Sequence, residues 1–465
     1  MPSRIPRDLE DARFDVIIVG AGINGAGVAR DAAMRGLRVL LLDKGDLGGA
    51  TTAWSSRLIH GGLRYLEHGE LGLVRESLRE RETLLRVAPH LVRPLPLLIP
   101  VYRGQRRGPL AIRAGMLAYD LLSRGKSLPG HKSLGPGAAL ELAPGLRREG
   151  LRSAALFYDA QVTYAERLAV ENALDARARG ATVVTYARVS KLSSEGGAVT
   201  GVEFEDAPGG GQLRAARAPV VLNAAGPWVD AVLESGGARG ARLLGGTKGS
   251  HAVVARFEGA PGLALYVEAG ADARPFFILP WDGKLLLGTT DSRFEGDPDR
   301  VAASGPELDY ILGETNRALP SARLTRERVL YAYAGVRPLP FAGARDEAAV
   351  TRRHFIRPSH LRGLFSVVGG KLTTYRSLAE EATALIFQQL GREAPPCATA
   401  RTPLPGAAVA DFDAFGEAFV GQSALPRDSA ARLLKVYGAR AAEVERLARE
   451  HAGLRARISE ETGTV

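Results

Sequence analysis

One stretch near the N-terminus leaves this chain few folds to choose from. Phe14 to Val19 is a short apolar run rich in β-branched residues, the pattern of a strand buried on both faces. It runs straight into Gly20-Ala-Gly22-Ile-Asn-Gly25, and a helical stretch follows to Arg35, closed by Gly36. Arg38 to Leu42 is a second β-like run ending at Asp43, 18 residues beyond the third glycine. Strand, glycine turn, helix, strand and acid in that order predict a Rossmann-like unit. Gly20 allows the tight turn, Gly22 lets the backbone approach a pyrophosphate, and Gly25 lets helix and strand pack closely. The helix N-terminus offers free N–H groups and the positive end of its dipole to an anion. Asp43 is placed to accept hydrogen bonds from an adenosine ribose and disfavours a 2′-phosphate, so FAD or NAD is expected rather than NADP.

Composition bounds the rest. A chain of 465 residues exceeds one compact core, so two or three domains are expected. With 45% hydrophobic and 24% charged residues it reads as a soluble globular protein. One cysteine, Cys397, excludes an internal disulfide and a multi-cysteine metal site, and fits a reducing compartment. No apolar run approaches the ~18 residues of a spanning helix. Met1 to Arg13 holds no hydrophobic signal core, so a cytoplasmic location is expected. The net charge of +10 admits nucleic acid, an anionic membrane surface or an acidic substrate. The arginines are scattered rather than clustered with aromatics, which argues against nucleic acid. The histidines show no ligand spacing, so no metal is expected.

Residues 51–67, Thr-Thr-Ala-Trp-Ser-Ser-Arg-Leu-Ile-His-Gly-Gly-Leu-Arg-Tyr-Leu-Glu, decide between the dinucleotides. They stand in order with Asn223-Ala-Ala-Gly-Pro-Trp228, Lys248-Gly-Ser-His251, Gly288-Thr-Thr-Asp291, Gly335-Val-Arg-Pro-Leu339 and Gly369-Gly-Lys-Leu-Thr-Thr-Tyr-Arg376. In these stretches the sequence resembles the FAD-dependent glycerol-3-phosphate dehydrogenase family, within the glycine/D-amino-acid oxidase-like flavoproteins. The resemblance implies FAD as cofactor and sn-glycerol 3-phosphate as substrate. It implies oxidation to dihydroxyacetone phosphate by hydride transfer from C2 to flavin N5, with a membrane quinone as electron acceptor. A peripheral place on the inner face of the cytoplasmic membrane and a homodimer belong to the same expectation. Cofactor contacts are implied at Gly20, Gly22, Asn24, Gly25, Asp43, Thr51, Thr52, Ser55, Ser56, Gly61, Ala225, Gly226, Trp228, Gly370, Lys371, Leu372 and Thr373.

Substrate-binding or catalytic roles are implied for Arg64, Tyr65, Arg337, Lys371, His60 and His251. A phosphate needs cationic donors, ideally a bidentate arginine, which suits Arg64 and Arg337. Lys371 is expected to stabilise the developing alkoxide. A histidine pKa suits proton removal near neutrality, and His60 and His251 are both candidates for the base. The alternatives within flavoenzymes are an oxidase using oxygen on the same substrate and an amine or amino-acid oxidase of the same fold. The Arg64, Arg337 and Lys371 set favours a phosphorylated substrate over a zwitterion. A non-catalytic FAD- or nucleic-acid-binding protein is the reading of a different class.

The expected architecture is α/β, or α+β multidomain. A Rossmann-like FAD-binding domain is expected from 14–78, 151–235 and 331–400, an antiparallel-sheet substrate domain from 79–150 and 236–330, and a shortened helical cap from 401–465. Leu364 to Val368 reads as a strand, with a helix opening at Gly369-Gly370 whose N-terminus could face a reduced flavin. Asp282-Gly283 predicts a hairpin within 274–290. Gly196–Gly201 and Gly209–Gly211 read as turn-like linkers, and Gly438 is expected to divide a helical stretch over 428–450. Arg103 to Lys126 is basic, with Ile112, Met116, Leu117, Tyr119, Leu121 and Leu122 between the charges, a candidate for lying in a membrane interface.

Overall fold

Local sequence and structure agree first in the N-terminal unit. In the computed structural model, Val16–Val19 and Val39–Leu42 are fully buried parallel strands joined through the helix Ile23–Met34. Gly20 sits at φ 102°, and a Cβ there would meet the carbonyl of Ala224 at 2.6 Å. A Cβ on Gly25 would lie 1.8 Å from the Gly20 carbonyl oxygen, so only glycine lets helix and turn touch. Described are residues 5–6, 9–67, 69–237, 242–341, 353–459 and 462–464, the side chains of residues 64 and 452 excepted.

A six-stranded sheet grows from this unit in the order Phe355–Pro358, Leu364–Val368, Val221–Asn223, Val16–Val19, Val39–Leu42, Thr182–Val184. All pairs are parallel except the antiparallel edge at Phe355–Pro358. The period-2 alternation of the strands divides two cores. Val16, Ile18, Val39 and Leu41 face the helices Ile23–Met34, Ala165–Ala178 and Tyr375–Gln389. Ile17, Val19, Leu40 and Leu42 face a three-stranded antiparallel sheet of Ala187–Glu195, Ala198–Asp206 and Gln212–Arg217. The glycines at 196–197 and 209–211 turn between those strands, as turn-like linkers, while Gly201 lies inside one of the strands.

The large sheet runs Ser292–Arg293, Thr247–Ala255, Lys284–Gly288, Pro275–Trp281, Ala264–Glu268, Val92–Tyr102, Leu151–Val162, Leu58–Ile59. Val329–Arg337 adds to Thr247–Ala255, and Lys132–Leu134 to Leu151–Val162. This differs from the expected division of the chain. Leu58–Ile59, Leu151–Val162 and most of Val329–Arg337 were expected on the FAD side but pair in the large sheet. Strand partners are chosen by long-range pairing, which local pattern does not encode. The hairpin at Asp282-Gly283 forms, with φ 47° and 80° and Trp281 opposite Lys284.

The second correction concerns residues 369–376. Gly369 and Gly370 sit at φ 78° and 98°, outside helical space, so a turn over 371–374 intervenes and the helix starts at Tyr375. In the C-terminal segment the helices Phe412–Gln422, Arg427–Tyr437 and Ala441–Glu450 close around Phe419, Leu425, Ala430 and Leu433. Gly438 at φ 59° separates the last two. Among the described residues no helix is long and apolar enough to cross a membrane.

Candidate active site

The C-terminal ends of the central parallel strands open into a cavity of ≈ 600 Å³, the place where open α/β sheets bind ligands. Gly20, Gly22, Asn24 and Asp43 line it from the N-terminal unit, and Thr51, Thr52 and Ser55 from the next segment. Ala225, Gly226 and Trp228 come from the 223–228 turn, and Gly370, Lys371 and Leu372 from the turn after Leu364–Val368. Three stretches some 200 and 350 residues apart from Gly20 in sequence thus share one cavity.

The wall is held by hydrogen bonds between those motifs. Asp43 accepts from the N–H groups of Ala21 at 2.6 Å and Gly45 at 2.8 Å. Burial pushes its pKa up, against the pull of those two donors and of Lys44. Thr52 Oγ1 accepts from the N–H of Ile23 at 3.1 Å and occupies one of the helix-start donors. Thr51 Oγ1 donates to the Val336 carbonyl at 2.7 Å, and the Gly369 N–H to the Pro338 carbonyl at 2.8 Å. Asn24 Oδ1 and Trp228 Nε1 are buried in this wall with no protein partner. Orphaned polar atoms of that kind, beside a carboxylate and a glycine turn, fit a polar dinucleotide.

Gly25, Ser56, Gly61 and Thr373 stand behind the wall rather than on it. Gly25 packs under Gly20. Thr373 Oγ1 accepts from the His60 N–H at 3.1 Å, and Ser56 Oγ lies 2.8 Å from His251 Nε2. Gly61 donates its N–H to the hydroxyl of Tyr119 at 2.9 Å.

Lys371 joins the cavity wall to the segment that carries Tyr65. Its Nζ lies 3.6 Å from the centroid of the Tyr65 ring and 3.3 Å from Ser77 Oγ. His60 is partly exposed and stands edge-on to Phe277 at 6.4 Å. Arg64 lies on the short helix Leu63–Glu67; its side chain lies outside the described residues. Arg337 ends its strand opposite Thr247. Its guanidinium donates to Asp291 Oδ1 at 2.9 Å, Thr289 Oγ1 at 3.2 Å and the Thr290 carbonyl at 3.2 Å.

His251 departs from expectation. It is 3% exposed, stacked on Tyr333 at 4.9 Å, and its pKa is pushed down to about 3 by burial and by the charges of Arg337 and Arg57. It stays neutral at working pH and is a feeble base.

Sequence reasoning missed a group at the cavity rim. Lys44 contacts Asp299 and lies 3.5 Å from the Trp228 ring centroid, while Arg188 approaches Asp299 at 4.0 Å. Lys44 follows Asp43 directly and was open to inference. Asp299 arrives from a distant connection with no local signal.

A model of the FAD dependent oxidoreductase family matches residues 15–385. The chain is 46% identical over 455 residues to a glycerol-3-phosphate dehydrogenase of Synechocystis sp., covering 94% of this chain and 81% of that protein. It is 39% identical over 451 residues to a D-erythritol 1-phosphate dehydrogenase of Brucella abortus, covering 94% and 86%. Among solved structures it resembles the glycerol-3-phosphate dehydrogenase of Bacillus halodurans complexed with FAD, with TM-score 0.80, 29% identity and coverage of 96% and 80%. The cofactor is FAD. The chain belongs to the FAD-dependent oxidoreductases and, among them, to the glycerol-3-phosphate dehydrogenase family.

Proposed function

We propose that the protein oxidises sn-glycerol 3-phosphate to dihydroxyacetone phosphate and passes the electrons to a membrane quinone. The observation that supports this most is the junction at Lys371. There the turn lining the cofactor cavity meets the segment of His60, Arg64 and Tyr65 through Lys371–Tyr65 and Thr373–His60. Bound FAD supplies the two-electron acceptor for the hydride that leaves C2. Gly20, Gly22 and Asn24 would hold its pyrophosphate, Asp43 its ribose, and Gly370, Lys371 and Leu372 the ring edge.

Arg337 and Arg64 bind the phosphate and neighbouring oxygens. Asp291 and the two threonines hold the Arg337 guanidinium in one orientation before substrate arrives. Lys371 opposes the negative charge that grows on the C2 oxygen. His60 takes the hydroxyl proton, since His251 is buried and depressed in pKa. His251 keeps Ser56 and Tyr333 in register behind the site.

The helix Pro109–Leu122 supports a peripheral place on an anionic membrane. It buries Met116 and Tyr119 and turns Leu110, Leu117 and Leu121 outward, 82%, 56% and 57% exposed, with Arg106, Arg113 and Arg124 exposed around them.

Anaerobic addition of sn-glycerol 3-phosphate is expected to bleach the flavin, with D-erythritol 1-phosphate giving a lower kcat/KM. A flavin left oxidised by both contradicts the reading. Faster turnover with a soluble quinone analogue than with oxygen supports the dehydrogenase; the reverse makes it an oxidase.

A further inference from the structure

Beneath the segment that carries His60 lies a buried charged cluster that the mechanism above does not use. Tyr119, Arg81 and Asp159 are 1%, 0% and 2% exposed. Arg81 Nη1 donates to Asp159 Oδ1 at 2.6 Å and to the Tyr158 carbonyl at 3.2 Å. The Tyr119 hydroxyl donates to Asp159, 2.8 Å from either oxygen, and accepts from the Gly61 N–H at 2.9 Å. We propose that Tyr119 is a positioning residue for the reaction, fixing through Gly61 the backbone that presents His60, Arg64 and Tyr65 to the substrate. This rests on the proposed function and extends it to a residue on an outer helix.

The direction of the hydrogen bonds carries the inference. Asp159 is paired with the Arg81 guanidinium at 2.6 Å, and its carboxylate oxygens accept. The hydroxyl hydrogen is therefore committed to Asp159, and the lone pair of the Tyr119 oxygen is left to the Gly61 N–H. Burial and the neighbouring carboxylate hold the phenol protonated, its pKa raised far beyond the usual value. Only glycine fits at this approach: a Cβ at position 61 would sit 2.5 Å from the hydroxyl and 2.7 Å from Leu78 Cδ2. One residue earlier, His60 is tied through its own N–H to Thr373 on the cofactor side. The segment is pinned from both sides, at His60 towards the cavity and at Gly61 towards the outer helix. A buried Arg–Asp pair is often no more stabilising than apolar side chains of like volume, which is consistent with a positioning role for this one.

The test compares Tyr119→Phe with Met116→Ala in the FAD-loaded full chain. Met116 is 1% exposed on the same buried helix face, but its change removes packing and leaves the hydroxyl in place. Tyr119→Phe is expected to raise amide hydrogen exchange across residues 58–67 about tenfold or more. It is also expected to lower the limiting rate of flavin reduction at saturating substrate roughly 10- to 100-fold in stopped flow, the scale of a small misplacement of reacting groups. Met116→Ala is expected to leave both near wild type. Unchanged exchange in Tyr119→Phe, raised exchange with an unchanged reduction rate, or both effects reproduced by Met116→Ala would overturn the proposal. Exchange is read without substrate. A wild-type flavin that sn-glycerol 3-phosphate fails to bleach therefore contradicts the substrate assignment, while raised exchange in Tyr119→Phe still supports the Tyr119–Gly61 link.

Discussion

Arg337 and Arg376 are both conspicuous arginines in the sequence motifs, and their surroundings give them different work. Arg337 is anchored by Asp291 at one edge and borders the turn at 369–370 through Pro338. Truncating it to alanine removes a fixed cation and leaves Asp291 without that partner, so kcat/KM is expected to fall by ~2–5 kcal/mol in steady-state kinetics. Kinetics like wild type would remove Arg337 from the substrate site. Lysine is expected to rescue little, because it lacks the planar fork. Arg376 instead forks onto Glu80 at 2.6 and 2.7 Å, with Glu80 fully buried. Arg376→Met would remove that bidentate partner and leave the longer contact from Arg79 at 3.6 Å, and is expected to cost ~3–5 kcal/mol in denaturant unfolding. A loss under about 0.5 kcal/mol would show that Glu80 finds another partner. Sequence alone could mark both arginines as set in motifs. It could not separate the proposed substrate residue from the strut, because Asp291 and Glu80 lie 46 and 296 positions away.

Individual elements were legible where a local rule was sufficient. The glycine turn at 20–25, the hairpin at Asp282-Gly283 and the break at Gly438 each follow from backbone geometry within a few residues. The helix start was misplaced because two glycines at positive φ look, in sequence, like the opening of a helix and act as its barrier. The basic segment at 103–126 shows a middle case. Its helix spans Pro109–Leu122 and spares Met116 and Tyr119 for the interior, so one apolar stripe packs and a second faces solvent. Replacing Leu110, Leu117 and Leu121 together by serine is expected to abolish co-sedimentation with anionic vesicles. Because these side chains are exposed, the thermal midpoint should barely move. Undiminished vesicle binding would place the membrane contact elsewhere.

At the scale of the whole molecule, the join between the body and the C-terminal helices carries a pH signature. His90 is 1% exposed where the body meets the C-terminal helices, 5.9 Å from the ring of Phe412. Burial, with the charges of Arg167 and Arg93, pushes its pKa down to about 3, as happens to His251 inside the large sheet. Unfolded histidine titrates near ~6.5, so between about 6.5 and 3 the unfolded chain binds more protons than the native one. Stability is thus present above the unfolded value and is lost as pH falls towards 3. Glu171, whose pKa burial raises, works in the opposite sense, so the His90 share is read as a difference. His90→Gln is expected to flatten the fall of the unfolding midpoint between pH 6.5 and 4; an unchanged slope would mean His90 is not the group responsible. The partition of strands between the sheets was the least legible feature, since Leu151–Val162 looks no different from a strand of the parallel sheet until its partner Val92–Tyr102 is known.

The convergence of residues near 20, 225 and 370 on one flavin is tested most directly by a crystal structure of the protein with FAD and sn-glycerol 3-phosphate bound. The expected result has the adenosine at Asp43, the isoalloxazine at Gly370–Leu372, and the phosphate on Arg337 with C2 towards His60. An isoalloxazine turned away from Lys371, or a substrate phosphate that touches neither Arg337 nor Arg64, would contradict it.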